Sequence, residues 1–326
     1  MNKQTCKTML GLSVAALFLA VTIVSTGCQR GEVRPTGYKF QKSWGKRGEA
    51  PGDLREPVGI LIAEDEVFVS DAGNNRIQVY SLNGVFLRSF GSEGSRPGEL
   101  ARPMHLGRSG QTLLVSEYIN DRIQRFTFQG ESLSLIGSTG TGPGQFDAPT
   151  SATVDSSGRI WVADFYNQRV QVLSSDGEPI RQFGVTGKEG PDPGQFTYPT
   201  AVSVFPDGGF VVADAYNHRI QTFDADGTFS WMLPDDMNWA DAADGHFNVA
   251  TSVQVSPSED IAVADFYNHR VQFISREGEF LFSFGSKGSD EGQFNRPIDV
   301  AFDQEGNLYV VDFGNDRIQK FEPVNE

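Results

Sequence analysis

Residues able to do chemistry are few in this chain. Its 326 residues hold four histidines and two cysteines, and both cysteines, Cys6 and Cys28, lie ahead of residue 29. The remainder offers no thiolate nucleophile, no disulfide and no cysteine metal site. It also lacks a phosphate-cradling Gly-Lys motif and a local Ser-His-Asp signature. What recurs instead is tyrosine, at Tyr118, Tyr166, Tyr216 and Tyr267, with His218 and His269 two residues after the last two. Both side-chain types join an apolar body to a polar tip, a combination common in binding surfaces. His105 and Asp299 would form an acid–base or ligand-orienting pair if the fold brings them together. One irregular stretch, Trp231 to Trp239 (WMLPDDMNW), precedes acids at Asp241 and Asp244. Those acids lack the regular ligand ladder of a calcium loop, so no metal is expected there.

The elements that position these residues are repeats. One signature occurs six times: Asp71 to Gln78 (DAGNNRIQ), Glu117 to Gln124 (EYINDRIQ), Asp164 to Gln171 (DFYNQRVQ), Asp214 to Gln221 (DAYNHRIQ), Asp265 to Gln272 (DFYNHRVQ) and Asp312 to Gln319 (DFGNDRIQ). The repeat arginines are spaced by 46, 47, 50, 51 and 47 residues, the size of a propeller blade of four short strands. A second signature precedes each unit, as in Pro143-Gly144-Gln145-Phe146 and Pro193-Gly194-Gln195-Phe196. Stretches such as Ile160-Trp161-Val162-Ala163 are rich in β-branched and aromatic residues and bounded by turn residues, and no window shows a helical period. In blade 3 the strands fall near 150–154 (a), 159–163 (b), 169–174 (c) and 180–183 (d). The last unit stops after strand c at Phe321, whereas Tyr38 to Trp44 reads as an extra strand d. The prediction is an all-β, six-bladed β-propeller with four antiparallel strands per blade, closed by the N-terminal strand completing the last blade, which removes an open edge.

A residue type present in every blade serves what every blade needs. The acid ends strand b, the Asn suits a tight turn by bonding its own backbone, and the Arg bridges to an acid or a carbonyl. The Phe or Leu of the second signature reads as a plug between blades. Function is expected where the repeats differ, on the upper face that carries the b–c turns and d–a loops. The candidate ligand-binding residues there are Tyr166, Tyr216, Tyr267, His218, His269 and Trp239. At the start of strand a, the second residue after the marker proline is Gly59, His105, Ser151, Ala201, Ser252 or Asp299. That places His105 and Asp299 at the mouth of the central channel, on either side of Gly59.

The Asp/Asn/Arg-Ile/Val-Gln units resemble those of NHL-repeat proteins over Tyr38 to Glu322, with Glu117 the one change of the leading acid. The favoured reading is a non-catalytic binding or scaffolding propeller of the bacterial cell envelope that recognises a peptide, protein or glycan on the upper face. The alternative is an NHL-propeller enzyme. Similar propellers include peptidylglycine-amidating lyases, which hold zinc through histidines just after the strand-a proline. Here those positions are Val58, Met104, Thr150, Thr200, Thr251 and Ile298, and none is a usual zinc ligand. No catalytic residue and no cofactor is therefore assigned.

The chain ends add a location. Lys3 and Lys7 precede a 16-residue apolar run, Met9 to Val24, which is the layout of a signal peptide and falls short of the roughly 20 residues that span a bilayer. Ser25-Thr26-Gly27-Cys28 resembles the cleavage box of bacterial lipoproteins, with Ser25 where leucine is usual. The resemblance implies a signal peptide over 1–27, lipidation at Cys28, a tether over 28–37 and a propeller over 38–326. Gln29 favours the outer membrane if the organism is Gram-negative. Removing residues 1–27 takes the net charge from −15 to −17. So acidic a surface repels phosphate backbones, and nucleic acid is not an expected partner.

Overall fold

The computed structural model describes residues 34–235 and 242–325. Cys28 and Trp239 lie outside them. Twenty-four strands form six four-stranded antiparallel sheets, joined by turns that include three short 3₁₀ segments. Blade 3 runs Pro149–Val154, Ile160–Asp164, Arg169–Leu173 and Pro179–Gly184 from the channel outward. Its strand b is buried at all five positions while most of strand d is exposed, which is why the inner strands read as unbroken apolar runs.

The sheets are held by what lies between them. Six apolar clusters each draw on two adjacent blades, and together they account for every interface in the ring. Leu54, Leu100, Phe146, Phe196, Phe247 and Phe294 are fully buried, and each seals the interface between its own blade and the preceding one. The predicted plug role is what these side chains do.

The N-terminal strand Gly37–Trp44 closes the ring as strand d of blade 6. It pairs with Arg317–Val324, from Gly37 opposite Val324 to Trp44 opposite Ile318. Strand c of that blade therefore runs three residues past Phe321. Tyr38 stacks on Phe273 of blade 5 at 5.2 Å, and Trp44 packs edge-on to Tyr309 at 6.1 Å, so the closing strand also grips its neighbours. Just ahead of it, Arg34 pairs with Asp260 of a blade 5 a–b turn at 2.8 Å.

One sequence assignment is corrected. Phe229–Leu233 is strand d of blade 4, so Trp231, Met232 and Leu233 belong to a sheet rather than to an irregular loop. Trp231 and Leu233 pack on the blade 4–5 core, and the Trp231 indole donates to the Arg276 carbonyl at 3.0 Å.

Candidate binding face

Strand a begins, and strand b ends, on the upper face, where each repeat acid is the hub of a hydrogen-bond set. Asp164 Oδ1 accepts the Asp147 N–H at 2.8 Å. Asp164 Oδ2 takes Arg169 Nε at 2.8 Å, Asn167 Nδ2 at 3.0 Å and Gln171 Nε2 at 3.0 Å. Arg169 then donates to the carbonyls of Thr141, Gly142 and Gln145 in the preceding d–a loop. Burial pushes the Asp164 carboxyl up from its ordinary value, while these donors pull it down. The six sets are scaffold, as their repetition implied. The Asn works differently from expectation: Asn167 bonds the acid and the Gly140 carbonyl, at 2.8 Å, rather than its own turn.

The left-handed residue of each b–c turn is the one after that Asn: Asn75, Asp121, Gln168, His218, His269 and Asp316, with φ between 50° and 58°. Its side chain accepts the N–H of the residue before strand a of the next blade. Asn75 takes Arg102 at 2.8 Å, Asp121 takes Ala148 at 2.8 Å, Gln168 takes Tyr198 at 2.6 Å and Asp316 takes Glu56 at 2.8 Å. His218 Nδ1 takes Val249 at 3.2 Å and His269 Nδ1 takes Arg296 at 3.0 Å. Both candidate histidines thus join blades. These six residues, of four types, share only an acceptor atom, so their common role could not be read from the chain.

The outward position of the turn, two residues after the acid, is Gly73, Ile119, Tyr166, Tyr216, Tyr267 or Gly314. Ile119, Tyr166, Tyr216 and Tyr267 are 61, 46, 55 and 52% exposed and form an arc over blades 2 to 5. Tyr118 sits one place earlier and half-buried, and its hydroxyl meets that of Tyr166 at 2.8 Å. Phe165 and Tyr198 fill the gaps between them, with Tyr198 5.1 Å from Tyr216. Ile119 extends the tyrosine set, and its type hid it from a search for tyrosines.

His105 and Asp299 meet across Gly59, with Nδ1 3.1 Å from Oδ2. A Cβ on Gly59 would lie 2.3 Å from the Met104 carbonyl oxygen and 2.7 Å from the His105 Cα, so glycine is required for the approach. The pair is 7 and 4% exposed. Asp299 also accepts Ile60 N–H at 3.0 Å, Ser252 Oγ–H at 2.6 Å and Val300 N–H at 2.8 Å. This carboxylate knits blades 1, 2, 5 and 6 together. One place after the marker proline or its equivalent, where the lyases carry histidine, Thr150, Thr200 and Thr251 reach a carbonyl of the following blade. Among the described residues no group of three or more His, Cys, Asp or Glu is placed to hold a metal.

A cavity of about 620 Å³ opens on the lower face. Each blade supplies a wall, including Leu61, Arg108, Thr153, Ser203, Gln254 and Phe302. Arg108 is drawn to Glu64 at 2.8 Å. These positions carry no motif, which left them unmarked in the sequence.

The NHL-repeat sequence model matches residues 146–173, 196–223 and 294–321. Each match runs from a plug phenylalanine through strand c, spanning the hub residues just described. The chain carries NHL repeats. The curated relatives it resembles are much longer proteins: Protein brain tumor of Drosophila melanogaster is 37% identical over 68 residues, 21% of this chain and 7% of that protein. Among solved structures, a virginiamycin B lyase from Staphylococcus aureus superposes with a TM-score of 0.59 at 17% identity, over 88% of this chain and 100% of that one. An auxiliary nutrient binding protein from Bacteroides thetaiotaomicron gives 0.62 at 14% identity, over 88% and 72%. At these identities the likeness is one of fold, and the same fold serves a lyase and a binding protein.

Proposed function

We propose that this NHL-repeat propeller is a non-catalytic recognition module of the cell envelope. It is held at the membrane through Cys28 and captures a peptide, protein or glycan on its upper face. The observation that carries the reading is the arc of Ile119, Tyr166, Tyr216 and Tyr267, exposed on four consecutive blades and backed by the Tyr118, Phe165 and Tyr198 rings. Soluble surfaces seldom keep so many large apolar side chains together without a use for them, and aromatic anchors carry a disproportionate share of binding energy.

The anchor supports the same reading. The closing strand starts on the lower face, where Arg34 is pinned to Asp260, and the six residues back to Cys28 reach at most about 20 Å. A lipid on Cys28 would attach the chain through the start of the closing strand, which is not the face that carries the arc. The enzyme alternative would draw on His105 and Asp299. Against it, the Asp299 carboxylate is engaged from within the ring by three hydrogen bonds and by the His105 ring.

Photo-crosslinking from single positions in detergent-solubilised membranes tests the proposal. A crosslinker at 216 or 267 should trap a defined partner, and one at 176 or 277, in the c–d turns opposite, should not. Trapping only from 176 or 277 would refute it.

A further inference from the structure

The six joints between turns and neighbouring blades are alike in geometry and differ in one property. Four use an oxygen acceptor, on Asn75, Asp121, Gln168 or Asp316. An amide oxygen does not titrate at ordinary pH, and a carboxyl group keeps an acceptor oxygen in either protonation state. The other two use imidazole Nδ1, on His218 and His269, and those two joints are the two sides of blade 5. We propose that blade 5 is an acid-releasable segment of the ring: protonation of His218 and His269 at Nδ1 turns both acceptors into donors facing an N–H, so both joints open while the other four stay closed.

The neutral imidazole carries its proton on Nε2 in this arrangement, and imidazolium has no acceptor left. Among the described residues, Asp265 is a charged group that faces His218. Lys287, Arg296, Asp312 and Asp265 face His269. Burial lowers both histidines below their ordinary value, with Lys287 and Arg296 adding to the effect at His269 and the aspartates opposing it. A lowered folded-state pKa means the joints contribute fully above the ordinary histidine range of about 6.5 and are lost as pH falls through the lower folded-state value. The turns that hold the two histidines also carry Tyr216 and Tyr267, so acid would free that part of the arc. The inference about the joints does not depend on what the arc binds.

Amide hydrogen exchange on the full chain reads each joint directly. Corrected for intrinsic rates, protection of the Val249 and Arg296 amides should fall at least about tenfold between roughly pH 7.5 and pH 5, while Arg102 and Ala148, bonded to oxygen acceptors, hold theirs. In H218N/H269N, which installs the side chain blade 1 uses at Asn75, the fall should vanish. Imidazole nitrogen shifts of the wild type should show unprotonated Nδ1 on both histidines near neutral pH. An equal fall at all four amides, no fall at Val249 and Arg296, a fall that persists in H218N/H269N, or Nδ1-protonated tautomers at neutral pH would each overturn the inference.

Discussion

Asp164 and Arg169 are both buried, at 0 and 1% exposure, and they form an ion pair at 2.8 Å. Arg169→Ala would leave the carboxylate without its cation and take one donor from each of three loop carbonyls. Breaking such a buried pair costs about 3–5 kcal/mol, so a large drop in denaturation midpoint is expected by urea titration. Arg96→Ala removes an exposed ion pair with Glu99 and should leave the midpoint in place. The contrast separates hub arginines from decorative ones. At this scale the sequence was readable where one residue type repeats, as with the acid, the Arg and the plug Phe. It was opaque where one role is filled by different types. His218 looks like a ligand until Asn75, Asp121 and Gln168 are seen making the same bond.

The strands were legible because each strand b is a short, mostly apolar run such as Ile160–Asp164 or Leu308–Asp312, and the missing fourth strand of blade 6 could be counted. Phe229–Leu233 was harder. Its sequence FSWML has no polar alternation, because this outer strand is half-buried along most of its length, and the proline and acids that follow it in the sequence resemble a loop. Closure by Gly37–Trp44 predicts an outcome: deleting residues 29–44 behind the anchor exposes Arg317–Val324 as an unpaired edge and strips Tyr38 and Trp44 from three blades. The truncated protein should melt well below the intact one and aggregate. Equal melting temperatures would show that the ring does not depend on this strand.

Over the whole molecule, the two faces differ in kind. The upper face carries hub sets, joints and the exposed arc; the lower face carries the 620 Å³ cavity and the entry of the chain at Arg34. If a lipid on Cys28 provides the attachment, Cys28→Ser should move the protein from the membrane to the soluble fraction and abolish incorporation of labelled fatty acid. Equal labelling of wild type and variant would remove the anchor from the account. A second set of exposed apolar side chains, Leu87, Leu133, Leu135 and Ile180, lies on the outer strands of blades 1 to 3 and supplies a control for the arc. The decisive measurement is the affinity for the partner trapped at 216 or 267, compared between wild type, Tyr166→Ala/Tyr216→Ala/Tyr267→Ala and Leu133→Ser/Leu135→Ser, with thermal melts run alongside. One hot-spot aromatic is worth about 2 kcal/mol, or roughly thirtyfold in affinity. The account predicts that the tyrosine triple loses at least that much with its melting temperature preserved, while the leucine pair binds like wild type. Undiminished binding by the tyrosine triple, with loss in the leucine pair, would contradict it.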